Sequence, residues 1–380
     1  MSRGMSAEEE LMLLMAATRE QRARAKVGKV DWAALLAGLE YQRLVPLLGG
    51  RILEAAGTSP PPDFIQAVNA ATTSARDAGG LLELTTLSIA TALEAAGAAN
   101  APLKGPLLAR ALHGDPGMRY SRDIDVLVAR EDFGRAVDAL TPLGWRRAPD
   151  QASDPVLHLA LVHEAGLPDI ELHWRVHWYE GEFGARALAR AQPGSDGVRR
   201  LRAEDDLTAL MLYQARDGFA GLRHPTDIAA WWDAHGSADA APLLDPIVRE
   251  HPALARALTA SAVLLERMVG LPAARLISLP RRLPWGAARA VSLANPLMRG
   301  SPEQITAEVS LVDGLLSPKG GRIAFVRRRA LPDARELPET DGPLAIARAE
   351  HVLRLLRRCS VAVIRPRARP RLPFGRDSNR

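Results

Sequence analysis

Cysteine is almost missing. Cys359 stands alone among 380 residues, which excludes an intramolecular disulfide framework and a thiolate metal cage. It falls near the end of "AIARAEHVLRLLRRCSVAV", a helical pattern in which packing is its expected role. No window reaches the roughly 18 uncharged apolar residues that a membrane span needs. The opening "MSRGMSAEEELMLLMAATREQR" sets acidic residues before a short apolar patch, unlike a secretory signal. A soluble, reducing, cytoplasmic setting without a membrane partner is the expectation. Aromatic residues make up only 4% of the chain, so Ala, Leu and Val must do most of the helix packing. There is no fixed-period repeat, no Walker loop, no H-E-x-x-H and no G-x-S-x-G around Ser121, so P-loop, zincin and serine-hydrolase chemistry lack their motifs.

Hydrophobic residues make up 47% of the chain, enough for one large core or two modest ones. The formal charge of +5 suits an anionic partner. Much of that excess sits in "IRPRARPRLPFGRDSNR", Ile364 to Arg380, where six arginines and three prolines accompany one aspartate. Such a stretch cannot bury enough apolar surface to order itself, so it is read as a solvated basic tail, and no nucleic-acid partner is expected.

The pattern divides the chain into an N-terminal helical region (1–98), a mixed core (99–180), a C-terminal helical region (181–363) and the tail (364–380). "ELMLLMAATREQ", "DWAALLAGLEYQRLVPLLGGRILEAAG" and "LLELTTLSIATALEAAG" space apolar residues by three and four. Asp31 is a helix cap, and glycines or prolines are expected to end each segment. After Asn100 the texture changes to "APL", the helical "PLLARAL", the strand "DIDVLV", a helix, "GWRRA", and two strand-like runs, "VLHLALVHEAG" and "DIELHWRVH". Helices return beyond Glu180. The fold class is therefore α+β, a small mixed sheet flanked by helical regions.

Two aspartates one residue apart open the strand "DIDVLV". Side chains alternate along a strand, so Asp123 and Asp125 share a face. Two like charges a few ångströms apart repel unless a cation lies between them, and hard oxygen ligands favour Mg²⁺ or Mn²⁺. In "DIELHW", Asp169, Glu171 and His173 share a face in the same way, and a third carboxylate beside the first pair would complete a two-metal site. Ahead of both, Lys104-Gly105 leads into a helix whose N-terminal N–H groups, with the lysine, suit a phosphate. Arg119 and Arg122, in "GDPGMRYSR", are further phosphate candidates. His158, His163, His173 and His177 are read as polar edge residues, with His173 as the one neighbour of the site, and Trp231 and Trp232 as core.

The order "LKG", helix, "GMRYSRDIDVLV", helix, "IELHW" resembles the uncharacterised nucleotidyltransferase family of the DNA polymerase β-like superfamily. "DWAALLAGLEYQRLVPLL" resembles that family's helical start, and "LMLYQARDGFAGLRHPTDIAAWW" its later helices. There Gln214 stands where histidine is frequent, and Asp227 at a recurrent acidic position. The resemblance spans Asp31 to Pro343 and implies that Gly105 is the turn glycine, that Asp123 and Asp125 are the metal pair, and that Glu171 is the third carboxylate. It implies transfer of an NMP group from an NTP to an acceptor, with Mg²⁺ or Mn²⁺ and release of pyrophosphate. The acceptor, whether small molecule, peptide or protein, is not specified. One departure is Pro106, where many superfamily members carry serine. The alternative is a catalytically degenerate relative that binds a nucleotide or a partner.

Overall fold

The computed structural model describes residues 5–24, 26–57, 59–149, 157–236, 242–318, 353 and 372–374. Cys359 and most of the basic tail lie outside the described residues. Five strands form one mixed sheet in the order β1-β2-β5-β4-β3: β1 (Asn100–Pro102), β2 (Asp123–Val128), β3 (Trp145–Arg147), β4 (His158–His163) and β5 (Asp169–His173). β2 and β5 run parallel, whereas β1 is antiparallel to β2, and β4 to both β5 and β3. The strands are those the alternation marks, although β5 ends at His173, leaving Trp174 to His177 in the following loop.

Strand alternation gives the sheet two different faces. Ile124, Val126 and Val128 of β2, with Ile170 and Leu172 of β5, pack into a cluster with Leu82, Ile89 and Leu93 of the helix Pro62–Ala95 and with Ala136 and Leu140 of the helix Phe133–Leu140. The other face turns toward a larger cluster. That cluster runs from Leu11 and Leu39 near the N-terminus, through Leu127, to Leu210, Trp231 and Leu264 in the later helices. N- and C-terminal helices thus share one core. Gln42 ties them directly: its Nε2 donates to the Pro296 carbonyl, and its Oε1 accepts from the Leu222 N–H. Asp31 caps its helix as expected, accepting from the N–H groups of Ala33 and Ala34.

One expectation fails instructively. Glycine does not end the helical segment at Gly79-Gly80; the helix runs unbroken for 34 residues. A Cβ on Gly79 would lie 2.5 Å from the Gly117 backbone nitrogen, and one on Gly117 would overlap the Ala75 carbonyl. The pair of glycines lets the loop after Gly114 lie directly on the helix backbone, where Arg76 Nε meets Asp115 Oδ2 at 2.6 Å. That loop carries Arg119 and Ser121 to the site. Because the colliding atoms are backbone and cannot swing aside, Gly117→Ala should lower stability by about 1–3 kcal/mol in a urea unfolding series. An unchanged midpoint would refute the close approach.

After β5 the chain turns around Glu180. Its Oε2 accepts from the N–H groups of Val176 and His177, and its Oε1 from Gly184. Burial pushes this carboxyl up to about 7 from an ordinary 4.5, against three donors that favour the ionised form. Between those values the unfolded chain ionises the group while the folded chain keeps the proton. Its contribution is therefore full below about pH 4.5 and is lost as pH rises through 7. Urea unfolding from pH 4 to 8 should show this decline in the wild type and a flatter profile in Glu180→Gln. Parallel profiles would assign the slope to another group.

Candidate active site

Register assembles the site. Asp123, Asp125 and Leu127 leave one face of β2; parallel pairing sets Asp125 beside Glu171 and Leu127 beside His173. On the other side of β5, Ala160 faces Glu171 and His158 faces His173. One oxygen from each of Asp123, Asp125 and Glu171 lies within 4.8 Å of the other two.

The three carboxylates are not equivalent. Asp125 is buried, and its Oδ1 receives Lys104 Nζ at 3.2 Å and His173 Nε2 at 2.9 Å. Burial works to raise its pKa, but the Lys104 ammonium and His173 outweigh that and hold the carboxyl well below the usual carboxylate range. Glu171 Oε2 stands 3.1 Å from the same His173 nitrogen, which lowers Glu171 in spite of its partial burial. Burial opposes a charge on the His173 ring, yet its contacts with both carboxylates raise its pKa. Asp123 is half-buried and takes part in no hydrogen bond or ion pair among the described residues. Three hard oxygen donors, one of them with no ion-pair partner among the described residues, are a donor set that fits a divalent cation such as Mg²⁺ or Mn²⁺.

Gly105 forms the turn at the start of the helix Pro106–His113 with φ of 83°, a conformation that a side chain would strain. Pro106 occupies the first helical position, where the helix loses nothing by the missing N–H but an anion would lose a donor. Lys104 lies on Asp125 and 4.5 Å from the centre of the Tyr213 ring, so its charge serves the carboxylates. Arg119 is buried in a pair with Asp227, Nε to Oδ2 at 2.7 Å, and its Nη1 donates to Ser121 Oγ at 2.9 Å. Its Nη2 is buried with no partner among the described residues. Ser121 Oγ lies 3.7 Å from where a Cβ on Gly105 would stand, so Arg119 and Ser121 border the turn. Arg122 is exposed and is not brought into this group. A cavity of about 380 Å³, lined in part by Pro106, Tyr120, Ser121, Ala78 and Gly79, opens beside it.

The histidines divide in two. His173 is fully buried at the carboxylates, and His158 stands beside it with ring centroids 4.9 Å apart. His163 instead meets the Leu143 carbonyl near the β3–β4 edge, and His177 lies 3.2 Å from Asp313. The helices Ala203–Arg216 and Arg223–His235 bring residues that sequence reading missed. Tyr213 is buried under both Lys104 and Arg216, and Arg216 lies in the field of Asp125 and Glu171. Arg223 lies in the field of Asp123. The signal was in "YQARDGFAGLRH", where Tyr213 and Arg216, three apart, share a helix face. Gln214 is core, meeting Ser261 Oγ, and Trp231 is buried as expected.

An Asp-x-Asp strand, parallel to a strand bearing a third carboxylate and preceded by a glycine turn into a helix, places the protein among nucleotidyltransferase-type α+β folds. The chain belongs to the uncharacterised nucleotidyltransferase family, whose model matches residues 28–270. No curated protein and no solved structure matches it. No helix among the described residues is long and apolar enough to cross a membrane.

Proposed function

We propose that the protein transfers an NMP group from an NTP to an acceptor and releases pyrophosphate. The observation that carries this reading is the set of three carboxylates on one face of two parallel strands, with Asp123 in no hydrogen bond or ion pair among the described residues. Asp123, Asp125 and Glu171 would hold divalent cations, whose chemistry there is to polarise the acceptor hydroxyl and neutralise charge building on the phosphates. The acceptor oxygen bonds to the α-phosphorus, and the bridging bond to the β-phosphate breaks as pyrophosphate leaves. Glu171 orients the acceptor hydroxyl and receives its proton. The Gly105 turn, Ser121 and the free Nη2 of Arg119 offer donors to phosphate oxygens, and Arg216 and Arg223 supply the facing positive charge.

Titration calorimetry with Mg²⁺ and each NTP tests the reading. Affinity for at least one NTP should fall sharply in the Asp123→Ala/Asp125→Ala double variant, and unchanged affinity would reject the assignment. The degenerate-relative alternative is favoured by Pro106, which removes a donor from the turn. It predicts that labelled NTP incubated with cell extract is bound and not transferred.

A further inference from the structure

The carboxylate patch contains two imidazoles that the transfer chemistry leaves unused. His173 Nδ1 lies 3.3 Å from the Arg175 carbonyl, a group that only accepts, so Nδ1 carries a proton. The opposite nitrogen, Nε2, faces Asp125 Oδ1 at 2.9 Å and Glu171 Oε2 at 3.1 Å. With no metal bound, a proton on Nε2 bridges to these two oxygens, beside the Lys104 ammonium on Asp125; a divalent cation taking that proton's place would find one nitrogen and two oxygen ligands already together. Histidines that bind metals are held in this way, with the other ring N–H on a carbonyl or carboxylate. The spacing agrees. Neighbouring ligands of an octahedral ion stand about 3.0 Å apart when the bonds are about 2.1 Å.

A second imidazole lies across the strand pair. His158 is in register with His173, and its Nε2 is 3.7 Å from Glu171 Oε1. Its Nδ1 is buried without a hydrogen-bond partner among the described residues. Glu171 thus turns one oxygen toward each histidine, and one ligand atom from each of the three residues lies within 4.8 Å of the others.

We propose that His173 is a nitrogen ligand of the cation site it shares with Asp125 and Glu171, with His158 joining from the far side of Glu171, so that the site takes a transition ion such as Mn²⁺ ahead of Mg²⁺. The inference rests on the reading of Asp125 and Glu171 as metal ligands. Imidazole suits transition ions, whereas Mg²⁺ prefers oxygen donors and gains little from a ring nitrogen.

The test is a titration of the full chain with Mn²⁺ alone, followed by electron paramagnetic resonance, with Mg²⁺ as competitor. Mn²⁺ should bind more tightly than Mg²⁺ by about tenfold or more, and pulsed spectra of bound Mn²⁺ should show coupling to a directly bound nitrogen. His158→Ala, at a side chain one-third exposed, should fold normally and lose part of the preference; His173→Gln should lose the nitrogen coupling. Should His173→Gln fail to fold, the wild-type spectrum decides alone. Bound Mn²⁺ without nitrogen coupling, displaced equally well by Mg²⁺, would mean that an imidazolium occupies the position and would overturn the proposal while leaving nucleotidyl transfer intact. Nitrogen-coordinated Mn²⁺ in a protein that neither binds nor turns over any NTP would uphold the metal site and reject the transferase reading.

Discussion

Asp123→Asn is expected to reduce nucleotidyl transfer by about 10³-fold or more while leaving the stability of the metal-free protein unchanged or slightly raised. The two effects separate because Asp123 has no ion pair to lose. Its charge sits half-buried near that of Asp125, so removing it relieves repulsion. The same change at Asp125 should behave differently. Asp125→Asn takes the counter-charge from Lys104 and His173, whose side chains are 10% and 0% exposed, and uncompensated buried charge costs about 3–5 kcal/mol. Transfer of label from an α-labelled NTP, set beside thermal melts of both variants, checks the pair. An Asp123→Asn protein that transfers label at the wild-type rate would remove that carboxylate from the site.

Asp227→Ala is expected to lower stability by about 3–5 kcal/mol, as breaking a buried ion pair from one side does. Asp227 Oδ2 meets Arg119, and its Oδ1 meets His113 Nε2 at 3.1 Å, all three side chains being almost wholly buried. Burial alone would raise this carboxyl, but Arg119 and His113 hold it well below the usual range. The pairing therefore stabilises the fold above the ordinary carboxylate pKa, and its contribution is lost as pH falls through the depressed value. Urea unfolding at neutral pH measures the loss, and Asp227→Asn, which keeps an acceptor for Arg119, should recover part of it. A loss under about 1 kcal/mol in the alanine variant would mean that the pair is not fully desolvated.

The strands, the shared face of Asp123 and Asp125 and the approach of Glu171 could be read from sequence because strand alternation is a local rule. The cap at Asp31 is local in the same sense. What lay beyond reach depends on contacts between distant segments. Nothing near Gly79 announces that Gly117 will press against it, so the helix whose pattern is marked from Leu81 in fact begins at Pro62 and runs through both glycines. His158 reads as an edge residue until its register with His173 sets it beside Glu171. Lys104 was placed at the phosphate turn on charge, yet Asp125, 21 positions later, holds it in the structure. Arg216 and Arg223 come from a helical region whose orientation over the sheet no local pattern encodes.

The most direct measurement is a crystal soaked with Mn²⁺ and a non-hydrolysable NTP, with the metal located by its anomalous scattering. Manganese should appear among Asp123, Asp125 and Glu171, with the triphosphate running from there to the Gly105 turn beside Ser121 and Arg119. Manganese absent from that patch, or nucleotide bound away from it, would rule out these carboxylates as the transfer site.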